Sequence, residues 1–183
     1  MTQLAIVEKG DPILETPAKA LTLAQIKSAP IQKLIADMKE TLDAISDGVG
    51  LAAPQVGHGV RIFLVAKRVL ARKKAGAGEV IDLNALKNIQ DLVCINPKIV
   101  KASKTKKWMS GEGCLSVRWY YGKVYRSTHV TLEYTDEHGE KHTRGAGGLL
   151  AHIFQHECDH LEGHLFIDKA KEVEWLEPEE EGK

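Results

Sequence analysis

The chain has 183 residues, 43% of them hydrophobic, with 25 lysines and arginines balancing 25 aspartates and glutamates. Residues 1–183 are enough to bury a core as a single domain without disulfide staples, and zero net charge gives no global attraction to DNA or other nucleic acid. No stretch is long and apolar enough to span a membrane. Met1 to Gly10 contains Glu8 and Lys9 and does not read as an export signal, so an odd set of three cysteines points to a reducing, cytoplasmic setting.

In chain order, Ile31, Leu34, Ile35, Met38, Leu42 and Ile45 predict an amphipathic helix ending near Asp47-Gly48. Gly48-Val49-Gly50-Leu51-Ala52-Ala53-Pro54-Gln55 follows. Its small residues suit a backbone that lies against another chain or a ligand, and Gln55 closes it with an amide donor. Arg61 to Val65 reads as a strand, and Lys67 to Gln90 is long enough to be a surface insertion. Cys94, within the strand-like run Leu92 to Ile95, reads as a small buried hydrophobe.

Gly111-Glu112-Gly113-Cys114-Leu115-Ser116 reads as a polar loop whose glycines let the backbone come close to a ligand. A cysteine there is a metal ligand or a nucleophile rather than half of a disulfide. Val130 to Tyr134 leads through Asp136-Glu137-His138-Gly139 into a hairpin return. Gly145, Gly147 and Gly148 then break the chain before Leu149, Leu150, Ile153, Glu157, His160 and Leu161 recur at helical spacing up to Gly163. Strands grouped between an early helix and a late one read as α+β.

The late helix carries Gln155-His156-Glu157-Cys158-Asp159-His160. Histidines four apart share a helix face, so His156 and His160 can bind one cation while Glu157 reaches a water on it as a general base. Leu149 and Ile153 place this face in the core, where an unpaired imidazole or carboxylate would be costly. Catalytic sites of this kind need a third ligand, and Cys114 is the candidate. Cys158 projects off the ligand face and is expected to be inert.

The three segments GVGLAAPQ, EGCLS and QHECDH, in that order, resemble the signature motifs of the peptide deformylases, GxGLAAPQ, EGCLS and QHExDH. The resemblance extends from Asp11-Pro12-Ile13-Leu14 through Leu165-Phe166-Ile167-Asp168. It implies small, mostly antiparallel sheets packed around a central metal-binding HExxH helix. It implies that Cys114, His156 and His160 hold one divalent metal ion, iron(II) by preference with zinc, nickel or cobalt as substitutes. Glu157 would shuttle the proton, and Gln55 with the backbone amide of Leu115 would stabilise the oxyanion. Val49, Gly50, Leu149 and Ile153 would receive the formylmethionine end of a nascent peptide, and the products would be formate and a free amino terminus; His152, taken on its own, reads as a surface or rim histidine.

The chain departs from the family pattern at Arg118-Trp119-Tyr120-Tyr121, a bulky loop expected at the rim of the site. The stretch from Lys67 to Lys107 is basic and that from Glu172 to Glu181 acidic. Solvated loops and a frayed terminus account for both, and the sharper reading is a transient contact of the basic side with ribosomal RNA. Two rival functions remain at this stage: an HExxH metallopeptidase, and an inactive relative that only binds nascent chains or ribosomes.

Overall fold

The computed structural model describes residues 2–75 and 88–176, with only the backbone of 72–75. Helix α1 (Leu23–Ile26) is closed by a capping box in which Thr22 and Gln25 satisfy each other's backbone amides. Helix α2 (Ala29–Ala44) opens with a proline in its first turn and buries Leu34, Ile35, Met38 and Leu42. Its buried polar residues fasten the chain start, because Asp37 accepts the Thr2 amide at 3.0 Å and the Thr41 hydroxyl accepts the Leu4 amide at 2.9 Å. The helix ends before the expected Asp47-Gly48, since Ile45 turns extended at φ −94°, ψ 105°.

The strands are β1 (Gly50–Ala52), β2 (Ile62–Val65), β3 (Leu92–Ala102), β4 (Lys106–Cys114), β5 (Val117–Ser127), β6 (His129–Thr135), β7 (Lys141–Gly147) and β8 (Lys171–Trp175). They form a five-stranded sheet in the order β1-β2-β3-β6-β7 and a three-stranded sheet in the order β4-β5-β8, with every ladder antiparallel. Helix α3 (Lys67–Ala75) follows β2, and helix α4 (Gly148–Leu161) follows β7 without a break. The α+β class expected from the sequence is therefore found. Helix α4 touches β1, β2, β3, β6 and β7 of the larger sheet and β5 of the smaller. Phe154 of α4 lies against Phe63 of β2 with ring centroids 6.0 Å apart, both rings fully buried. Truncating either to alanine would destabilise by about 3–5 kcal/mol.

Several expectations change. Gly111 to Cys114 is the end of strand β4 and not a loop, because Glu112, Gly113 and Cys114 pair with Gly122, Tyr121 and Val117. Arg118 to Tyr121 is likewise the start of strand β5. Gly145 and Gly147 lie within β7, so the glycine run hands a strand directly to α4, whose first residue Gly148 takes φ +57°. Lys67 to Gln90 begins as helix α3, with Val69 and Ala71 buried. The rest of that insertion (76–87) and the acidic tail beyond 176 lie outside the described residues. Before that tail the chain does not fray: β8 pairs with β5. Gly163 does end α4's exit as expected, at φ +78°. Among the described residues no helix is long and apolar enough to cross a membrane.

Candidate active site

The last residue of β4 meets the last two turns of α4. Cys114 Sγ lies 3.2 Å from His160 Nε2, and the His156 and His160 rings stand edge to face at 4.9 Å. Donor atoms of Cys114, His156 and His160 all fall within 4.8 Å of one another. The sequence-predicted ligands are thus brought together. One thiolate and two imidazoles suit iron(II) or zinc.

Electrostatics favours a cation there. Burial opposes ionisation of the Cys114 thiol, but His160 and His156 outweigh it and hold the thiol well below its ordinary range. Burial likewise opposes a charged His156, and Cys114 and Glu112 together hold it well above its usual value. A thiolate and a protonated imidazole in such contact form a site where a metal ion can take the place of a proton. Glu157 Oε2 is buried without a hydrogen-bond partner among the described residues, which marks a place built for something more than protein contacts, and His160 Nδ1, on the ring edge away from the Nε2 that faces Cys114, has none either.

Glu157 sits on the same wall, and burial pushes its carboxyl up to about 7, with His156 and His160 pulling the other way. Gly50 makes its position workable: a β-carbon at residue 50 would run into the Glu157 carboxylate and come within 3.2 Å of Ile153 Cγ2. Gln55 is fixed at both ends of its amide. Its Oε1 accepts the Ala52 amide at 2.9 Å, which leaves Nε2 to donate toward Cys114 Sγ at 3.3 Å and Ser116 Oγ at 3.4 Å.

A cavity of about 550 Å³ opens onto these groups and is lined by Val49, Gly50, Gln55, Cys114, Leu115, Leu149, Ile153, His156 and Glu157, while His160 is buried and is not part of its wall. Leu149 departs from expectation. It is 44% exposed and forms the mouth instead of the core, because it stands on the first turn of α4 where the cavity opens. Arg118, Trp119 and Tyr121 line the cavity too, so the bulky segment is at the rim although it is a strand.

Glu112 is the functional residue that sequence reasoning passed over. It is 4% exposed and accepts hydrogen bonds from His156 Nδ1 at 2.7 Å, from Arg126 Nε at 3.1 Å and from His152 Nε2. Despite burial, those partners hold its carboxyl far below the usual carboxylate range. By occupying His156 Nδ1 it turns Nε2 of that ring toward the cation site. His152 is therefore a partner of Glu112 and more than a rim histidine. A signal was available, since residues two apart on a strand share a face and Glu112 precedes Cys114 by two. Of the other cysteines, Cys94 is fully buried, and burial pushes the Cys158 thiol up to about 12, so both are unreactive.

A sequence model of the family described as polypeptide deformylase matches residues 3–175. The chain belongs to the peptide deformylase family. Among curated relatives, the peptide deformylase of Christiangramia forsetii is 40% identical over 172 residues, 93% of this chain and 83% of that one. Peptide deformylase 2 of Vibrio cholerae is 41% identical over 168 residues, 92% and 86% of the two chains. Among solved structures, the class I type b peptide deformylase of Acinetobacter baumannii superposes with a TM-score of 0.77 at 31% identity, covering 92% of this chain and 99% of that one. The peptide deformylase of Thermotoga maritima does so with a TM-score of 0.75 at 32% identity, covering 93% and 99%. This deformylase is thus a metal-dependent hydrolase of protein synthesis that removes the N-terminal formyl group of nascent polypeptides. Neither the metallopeptidase nor the inactive-relative reading finds support.

Proposed function

We propose that the whole chain is one catalytic domain, that α4 is its central metal-binding helix, and that Cys114, His156 and His160 hold a single iron(II) ion. The observation that carries this reading is the convergence of those three donors within 4.8 Å beside a buried oxygen of Glu157 that has no partner among the described residues. A bound metal ion supplies Lewis-acid activation of water and polarisation of the formyl carbonyl. Glu157 takes the proton of the attacking water and delivers one to the departing amine nitrogen, a role suited to a carboxyl near neutrality. As charge develops on the formyl oxygen, the Gln55 amide and the Leu115 backbone N–H donate to it.

The peptide enters beside β1, the edge strand of the larger sheet, whose free edge can add a strand of substrate main chain. Val49, Gly50, Leu149 and Ile153 then receive the methionine side chain. Main-chain pairing is indifferent to sequence, which fits a substrate class as broad as N-formylmethionyl nascent chains. A cytoplasmic setting and a transient ribosome contact complete the proposal, with DNA and membrane playing no part.

The test is formate release from formyl-Met-Ala-Ser by anaerobically prepared iron(II), nickel and zinc forms, with metal analysis of each sample. The expected result is one metal per chain and the highest kcat/KM with iron(II). A zinc form as active as the iron form would refute the metal assignment, and no formate from any form would refute the site.

A further inference from the structure

Trp119 has φ +70°. A bulky residue takes this left-handed backbone only where its surroundings force it. It stands on the wall of the active-site cavity, between Arg118 and Tyr121. The forcing contacts come from the far end of the described chain. The Trp119 carbonyl oxygen accepts the Leu176 amide at 2.8 Å. The next residue, Tyr120, pairs with Trp175, and Tyr121 with Glu174.

Strand β8 is seated on β5 through Gly122, where an added β-carbon would lie 2.9 Å from Ala170 Cβ and 3.3 Å from Val173 Cγ2. From β5 the contact runs on to the reaction centre. The Tyr121 ring covers Gly113, approaching within 2.7 Å of where a β-carbon would sit, and Gly113 adjoins Cys114. A continuous path therefore links Leu176 to the cavity wall. Every side chain of β8 is exposed, so the ladder to β5, the Lys123–Glu172 ion pair and the surface contacts of Val173 with Gly122 and of Lys171 with Trp108 are what attach it. An element with so few buried contacts belongs to the least stable part of a fold.

We propose, resting on the deformylase reading above, that β8 is a positioning element for substrate recognition. Its pairing with β5 holds Trp119 left-handed as the wall of a subsite for the peptide side chain beyond the formylmethionine. An indole that is 41% exposed offers that side chain a flat apolar face, so peptides with an aromatic or long apolar residue there are the favoured class. Leu176 acts through its N–H alone.

Full-chain variants test this. Leu176→Pro removes the N–H that Trp119 accepts, and it asks of Trp175 only the extended backbone a strand already has. Leu176→Ala keeps the N–H. Each is assayed by formate release with formylmethionine amide, too short to reach the rim, and with formyl-Met-Ala-Phe. Leu176→Pro should raise KM for the tripeptide on the order of fivefold, the equivalent of one lost hydrogen bond, at unchanged kcat. It should leave KM for formylmethionine amide unchanged, and Leu176→Ala should match the parent on both. Trp119→Gly should show the same tripeptide loss, and adding Leu176→Pro to it should change nothing further, because the two residues act as a unit. An unaltered tripeptide KM in Leu176→Pro, equal losses on both substrates, or additive effects in the double variant would overturn the proposal. Absence of turnover by the parent would instead overturn the deformylase reading beneath it.

Discussion

Glu157 meets two opposed demands. Catalysis as proposed needs its carboxylate charged, yet the pocket that shields it from water pushes its pKa from 4.5 up to about 7. A divalent cation beside it supplies the missing compensation, since a bound ion is the largest local charge in such a site. Without metal the conflict shows up as stability. A carboxyl whose folded pKa is raised stabilises the fold fully below its ordinary pKa, and that contribution is lost as pH climbs through the folded value. Here the window runs from 4.5 to about 7, and the loss amounts to about 3 kcal/mol above it. Glu157→Gln keeps the shape without the charge, so in metal-free protein its Tm should exceed the parent's at pH 8 and lie close to it at pH 5. Matching Tm values at pH 8 would mean that Glu157 is not ionised against its surroundings. With metal present, Glu157→Ala should retain near-stoichiometric ion and lose on the order of a hundredfold or more in kcat. Cys114→Ala should lose the ion itself and, because bound metal favours only the folded state, lower Tm as well. Full turnover in the first variant, or full occupancy in the second, would separate these residues from the roles assigned to them.

At the scale of elements, the site is the place where β4, β5 and α4 are tied together by one buried polar network. Arg126 of β5 binds Glu112 of β4 and, at 2.6 Å, Asp159 of α4, with only 6% of the arginine side chain exposed. Burial works against the charge on Arg126, but Glu112 and Asp159 raise its pKa further still. Removing Arg126 would leave Glu112 to its two histidines and Asp159 to Lys169, and would take from both the buried cation they share. Arg126→Met should therefore destabilise by roughly 3–5 kcal/mol and also weaken metal retention, because Glu112 would no longer be held for His156. Urea unfolding with metal analysis checks both, and a stability change below about 1 kcal/mol would show the network to be dispensable. This network explains what was legible in the sequence. The ligands stood out because HExxH encodes a helix face within five letters, and helix periodicity needs no knowledge of partners. Glu112, Arg126 and Asp159 become a unit only once β4 and β5 are paired and α4 is laid across them, and no local period announces that. The same holds for β4 itself: Gly111 and Gly113 read as loop residues on propensity, whereas the pairing of Glu112 with Gly122 and of Gly113 with Tyr121 carries the strand through them.

The whole molecule has no net charge, yet its charges are not evenly spread. The acidic end of the sequence lies beyond 176, outside the described residues, as do the side chains of Lys73 and Lys74. The described part of the basic stretch ends at the start of β4. Lys106 and Lys107 are exposed on β4, and the Trp108 and Tyr125 rings lie 5.2 Å apart, tilted by 39°, both about half exposed. Lys106 Nζ lies 5.9 Å from the Tyr125 ring centre and Lys171 Nζ 5.1 Å from that of Trp108. The sequence showed the lysines but not this arrangement, because β4 and β8 meet β5 from opposite sides and only their pairing gathers the cations around two rings. Ammonium groups interleaved with exposed aromatics suit an RNA surface, where phosphates and unstacked bases are both presented. A docking of this kind would bring the cavity near emerging nascent chains without any change in net charge. Its signature is counterion release: affinity for ribosomes should fall by about tenfold or more between 50 and 200 mM salt if three or so phosphates are engaged. Lys106→Glu with Lys107→Glu should weaken binding further at low salt and flatten that dependence, while formate release from free tripeptide stays at the parental rate, since neither lysine lines the cavity. Trp108→Ala should weaken binding without altering the salt slope, because stacking releases no counterions. Binding that ignores salt, or that survives the double charge reversal, would assign ribosome contact to some other surface.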